Sequence, residues 1–404
     1  MSQRTTVVVT GMGIASAAGW TLDEVWTAMQ EGRSGLKTLS LFESPRCGKL
    51  LVGQIDQNPA ERSGLKSGSR SDHLAVWAAK QAVADAQLTP GKDYTPSRAA
   101  IVLGGLTGGM QHTEDYLVAM HQGTALPAPE TLEDRECCNA SDRVAELFQI
   151  AGFRTTISNA CASGGSALAL ASDLLESGEA DVVFAGGVDS LNRVVLNGFN
   201  SLMLCSSDGA RPFDKDRKGM SVGEGAGVLI LETLEHARAR GARVRAVLAG
   251  CGNSCDAHHV SAPQPEGKGL QEAMRQALEH AQLPPSVVDY VNAHGTGTGD
   301  NDPAEARAIC AVFGDKLPAV SSTKRFFGHA LAAAGAIEAI VSVLAMERGA
   351  VPPNLGLREV DPKVPFKPVA EMIPAKIDVA MSTSLGFGGN NSAVIFKKLE
   401  GGAP

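Results

Sequence analysis

No C-x-x-C pair occurs among the eight cysteines of this 404-residue chain, which stand at 47, 137, 138, 161, 205, 251, 255 and 310. Zinc ligands usually come at such close spacings, so no metal site is expected. A disulfide framework suits short secreted chains that cannot build a core, whereas 44% of these residues are hydrophobic. A reducing, cytoplasmic setting is therefore expected. Basic stripes are missing as well: 36 Lys and Arg stand against 44 Asp and Glu, a net charge of -8. Nucleic acid is not an expected partner. The apolar stretch "GHALAAAGAIEAIVSV" from Gly328 carries Glu338 and reads as a buried helix, so no membrane partner is expected either. The opening "MSQRTTVVVTGMGIASAAGW" lacks the charged start and long apolar middle of a secretory signal and reads as a strand and turn.

What is present is alternation. "TTVVVTGMG", "SRAAIVLGGLTGG", "TTISNA", "ADVVFAGGVDS" and "GAGVLILETL" read as strands, with helices over "TLDEVWTAMQEG", "SDHLAVWAAKQAVADAQL" (capped by Ser71) and "CASGGSALALASDLLESG". The remainder repeats that order. "RVRAVLAGCGNS" is a strand and "GKGLQEAMRQALEHAQL" a helix. Two strand-loop-helix units follow, then a closing strand pair around "GFGG". Strands alternating with helices imply a layered α/β fold with parallel pairing. The repeat implies a duplication, with halves at 1–250 and 251–404 and a site between them. The stretches "NPAERSGLKSGSRS" and 115–140 read as insertions.

The segment "SNACASGG", Ser158–Gly165, sets one cysteine where a strand gives way to a small-residue helix. Free cysteine is most often a packing residue. At a helix start, however, the dipole and unpaired N–H groups favour a thiolate, and an N–H can face a developing oxyanion. The second half places further chemistry at matching junctions. His294 lies in "NAHGTGTGDNDPAEA", before a helix started by Pro303. Lys324 and His329 lie in "SSTKRFFGHALAAAGA", and Phe387 lies in "SLGFGGNNS". Ligands in open α/β sheets bind at the carboxyl ends of strands. Together these residues outweigh the packing reading of Cys161. "SCDAHHVSAP" adds Asp256, His258 and His259, without further ligands at zinc spacing, and reads as a loop bordering the site. Cys137 and Cys138 receive no role.

Cys161 in "NACASGG", His294 in "AHGTGT", Lys324 and His329 in "TKRFFGH", "GFGGNN", and "RPFDKDRKGMSVGEGAGVLILE" form an ordered set over nearly the whole chain. The set resembles the β-ketoacyl-acyl-carrier-protein synthases of the elongating type. The resemblance implies the thiolase fold, a duplicated α/β arrangement in five layers (αβαβα). It implies a decarboxylative Claisen condensation between an acyl group on Cys161 and malonyl-acyl carrier protein, in fatty-acid or specialised polyketide synthesis. His294 and His329 then stabilise the malonyl enolate. Lys324 organises the site with Glu338, two to three turns into the helix holding His329, as ion-pair partner. Phe387 gates the nucleophile, and its N–H and that of Cys161 form an oxyanion hole. Thr296 and Thr298 hold the pantetheine arm. Met110, His112, Thr113 and Phe199 line the acyl pocket, whose His112 and Thr113 are more polar than a plain fatty-acid tunnel needs. Substrates arrive on phosphopantetheine with no other cofactor. The implied partners are acyl carrier protein and a second subunit, the same chain or a related ketosynthase-like one.

Two rival readings share this fold. An acyl-CoA thiolase needs a second cysteine in the C-terminal glycine loop, and "GFGGNN" has none. A chain-length-determining partner subunit lacks the nucleophile that this chain keeps.

Overall fold

The computed structural model describes residues 4–400. Ten strands carry the architecture. The first half supplies β1 (Val7–Ser16), β2 (Ala99–Gly104), β3 (Arg154–Ile157), β4 (Val182–Asp189) and β5 (Gly225–Thr233). The second supplies β6 (Ala246–Cys255), β7 (Tyr290–Asn292), β8 (Ala319–Ser321), β9 (Val379–Gly386) and β10 (Asn390–Lys397). They pair in the order β8-β7-β9-β10-β6-β1-β5-β4-β2-β3.

Outward from the centre both halves follow one plan, β1-β5-β4-β2-β3 and β6-β10-β9-β7-β8. The directions match too. β5 is antiparallel to β1 and β4, while β2 runs parallel to β4 and β3. β10 is antiparallel to β6 and β9, while β7 runs parallel to β9 and β8. The duplication expected from the repeat is therefore a duplication of topology. The halves join through a short antiparallel contact, Val7–Val9 against Ala246–Leu248. The expected boundary at 250/251 falls inside β6, the counterpart of β1, so the second half begins ahead of Ala246.

Period-2 alternation builds the layers. On β2, Ala100 and Val102 face a central core with Leu168, Leu175, Ile337 and Ile340. Ile101 and Leu103 face an outer core with Leu74 and Ala78. A third core lies outside the second half, where Val291, Val320 and Met381 meet Leu270, Met274 and Ile309. Helix, sheet, helix, sheet, helix is thus the layering, the thiolase-like arrangement. The central helices are Ser163–Glu176 and Ala334–Arg348; every residue of the latter from Ala334 to Met346 is buried. A helix buried on every side belongs between two sheets. No helix among the described residues is long and apolar enough to cross a membrane.

Local details differ from the sequence expectations. The helix Arg70–Ala86 is capped by Ser69, whose side chain accepts from Asp72 N in a reciprocal capping box. Ser71 lies inside the helix, and its hydroxyl donates to Gly108 O at 2.9 Å. The helix after His294 begins at Asn301, ahead of Pro303. His329 precedes the helix that carries Glu338, which places Glu338 in that helix's second turn. The expected insertion "NPAERSGLKSGSRS" contains the short helix Ala60–Ser63, and the one at 115–140 takes in the later part of the helix Met110–Gln122.

Candidate active site

Cys161 sits in the 3-10 turn Ala160–Ala162, directly ahead of the helix Ser163–Glu176. Ala160 has φ +57°, a left-handed conformation unusual for a residue with a Cβ. Ser163 holds it there: its hydroxyl accepts from Asn159 N at 3.0 Å and donates to Ala160 O at 2.6 Å. Only 5% of Cys161 is exposed. Burial pushes its thiol up to about 11, against the pull of Lys324 and of the Phe387 and Cys161 N–H groups. Desolvation thus works against the thiolate that the helix start favours.

A histidine stands beside the thiol. His329 Nε2 lies 2.9 Å from Cys161 Sγ. The His294 and His329 rings meet edge to face, centroids 5.0 Å apart. Burial drives both imidazoles well below their ordinary range, and Lys324 adds to this, so both are neutral. Lys324 Nζ lies 3.2 Å from His294 Nδ1 and pairs with Glu338 Oε1. Lys324 and Glu338 are both buried. Burial raises the Glu338 carboxyl despite its cation. An ammonium only donates, so His294 Nδ1 accepts and Nε2 carries the proton.

Two buried carboxylates that the sequence reading passed over position the histidines. Glu305 accepts from His294 N at 2.8 Å, Gly295 N at 2.7 Å and the Thr383 hydroxyl at 2.8 Å. Asp189, ending β4, accepts from Ala332 N at 2.8 Å and Thr107 N at 2.9 Å, tying the turn after His329 to the loop after β2. The His329 backbone also bonds Ser221 O and Gly223 N. A signal existed for Glu305: it follows Asp302 by three residues, one helical turn, so both face the glycine loop.

One cavity joins Cys161, His294 and His329 to Phe199, Thr296, Thr298 and Phe387. The Thr296 and Thr298 hydroxyls bond each other at 2.9 Å. Phe387 is half-buried and meets Phe199 edge to face at 5.4 Å. A Cβ on Gly386 would lie 3.0 Å from Cys161 N, so glycine is what lets this turn approach the nucleophile. The 256–264 loop borders the turn, as expected: Gly388 N donates to Val260 O, and Asp256 accepts from Asn391 Nδ2 at 2.9 Å. His258 and His259 are exposed. Met110, His112 and Thr113 lie outside the cavity lining. His112 Nδ1 instead bonds Thr131 O at 3.0 Å, and the Thr113 hydroxyl is buried without a partner.

Two family models cover most of the chain: beta-ketoacyl synthase, N-terminal domain, over residues 4–237, and C-terminal domain, over 245–358. The 3-oxoacyl-[acyl-carrier-protein] synthase 2 of Synechocystis sp. is 36% identical over 409 residues, 98% of either chain. Among solved structures, the ishigamide ketosynthase/chain length factor superposes with a TM-score of 0.92 at 33% identity, covering 98% of this chain and 100% of that one. A type II polyketide synthase acyl-carrier protein in complex with its ketosynthase bound to the hexaketide gives 0.89 at 30%, with 98% and 100% covered. Both halves of the duplicated fold, with the cysteine turn of one and the histidine loops of the other, are therefore those of the β-ketoacyl synthase family, to which this chain belongs.

Proposed function

We propose that the chain is a condensing enzyme acting on carrier-bound acyl groups. Cys161 Sγ attacks the thioester of an acyl chain held on phosphopantetheine, and the carrier thiol leaves with the Cys161 proton. The N–H groups of Cys161 and Phe387 face the oxyanion that forms. Malonyl carrier then enters and loses carbon dioxide. Its enolate oxygen accepts from Nε2 of His294 and of His329, and the carbanion attacks the acyl-cysteine. The product is a 3-oxoacyl chain two carbons longer, with Cys161 freed. Lys324 keeps His294 in the donor tautomer, and Glu338 balances the lysine charge. Thr296 and Thr298 hold the pantetheine arm, and Phe387 with Phe199 forms the door.

The observation that carries this reading is the convergence of Cys161, His294 and His329 on one cavity, with Lys324 behind His294. The partners are an acyl carrier protein and a second subunit, the same chain or a related ketosynthase-like one. The setting is the cytoplasm, within fatty-acid or specialised polyketide synthesis. Incubation with acyl carrier protein should add one acyl mass to the native enzyme and none to Cys161→Ala. An acylated alanine variant, or an unmodified native enzyme, would contradict the reading.

A further inference from the structure

Cys161 Sγ and one ring nitrogen each of His294 and His329 lie within 4.8 Å of one another, all buried. One thiolate and two imidazoles, with a cavity open to water on the fourth side, is a donor set that suits zinc. Tetrahedral zinc asks for donor separations of roughly 3.3–3.6 Å, given bonds of about 2.0–2.3 Å. The 2.9 Å contact between Cys161 and His329 is near that range and needs only side-chain adjustment to reach it.

The layer behind the donors is the reverse of a metal site. A ligating histidine normally donates its second ring N–H to a carboxylate, a carbonyl or water. His294 Nδ1 instead meets the Lys324 ammonium at 3.2 Å. With three donors and no lone pair, the ammonium obliges Nδ1 to accept. Nε2 then keeps the proton and has no lone pair for a metal. Glu338, the carboxylate that could accept from Nδ1–H, is engaged by the lysine. His329 carries no such lock, since its Nδ1 has no hydrogen-bond partner.

We propose that Lys324 keeps this cluster free of zinc and similar soft divalent ions by holding His294 as the Nε2–H tautomer. The native enzyme offers two metal ligands, and an enzyme without the lysine offers three. Zinc binding there would release the thiol proton to solvent and leave the thiolate on the metal. This role is separate from condensation and holds whatever acyl group the enzyme takes.

Cobalt(II) serves as the probe, because its thiolate charge-transfer absorption reports a Cys161–metal bond, and zinc competition gives the affinity. Lys324→Met should bind one equivalent at least roughly 10–100-fold more tightly than the native enzyme, the size of effect usual for groups behind metal ligands. The band should vanish when Cys161→Ala is added. Equal affinity in the native enzyme and a folded Lys324→Met would overturn the proposal. Since that variant strands Glu338 without its cation, Lys324→Met with Glu338→Gln removes both charges and carries the same expectation. In the native-lysine background, His294→Ala should leave cobalt affinity unchanged, and a marked loss there would also overturn it.

Discussion

At Cys161 two effects oppose each other. The helix start and the N–H groups of Phe387 and Cys161 favour the thiolate, while burial disfavours it. Burial wins, so the resting group is a thiol, with His329 Nε2 2.9 Å from its sulfur. A raised thiol means less thiolate at any given pH, and more with each step upward. Alkylation of Cys161 by iodoacetamide should therefore keep accelerating from pH 7 to pH 10. Levelling near the ordinary thiol value of about 8.5 would contradict this account. The residue types and their junction positions were legible in the sequence. Which nitrogen faces which partner was not, because it depends on the Lys324–His294 contact across 30 positions of chain. The buried acid Asp189 was equally silent, as an acid at a strand end is ordinary in any sequence, whereas Glu305 had only its helical-turn spacing from Asp302 to mark it.

At the scale of elements, alternation revealed the strands, and small-residue spacing revealed the two central helices. Boundaries were harder. Ser69 and Ser71 both suit a cap, and only Ser69 has the extended backbone, ψ 165°, that lets its side chain reach Asp72 N. The acyl-pocket expectation at Met110, His112 and Thr113 depended on how a helix lies beside a cavity, which no local pattern encodes. The turn holding Phe387 is where element and function meet. It rests on the 256–264 loop through backbone hydrogen bonds, while its ring is half-buried against Phe199. Phe387→Ala should change acylation rate or acyl selection more than stability. A fall in unfolding free energy of ~3 kcal/mol or more, the range for truncating a core phenylalanine, with selection unchanged, would mark the ring as a plug rather than a door.

Across the whole molecule, the duplication divides the chemistry. The nucleophile belongs to the first half, while Lys324 and both histidines belong to the second. The cavity forms where the two meet, so neither half alone holds the complete set of site residues. The account's central claim is that His294 serves decarboxylation rather than acylation. The most direct measurement follows both steps in His294→Ala: acyl mass on Cys161 and carbon dioxide released from malonyl carrier. Removing one donor to a developing oxyanion costs about 10²–10³ in rate where it has been done. The account predicts full acylation with carbon dioxide release slowed by that order. Carbon dioxide release at the native rate would contradict it.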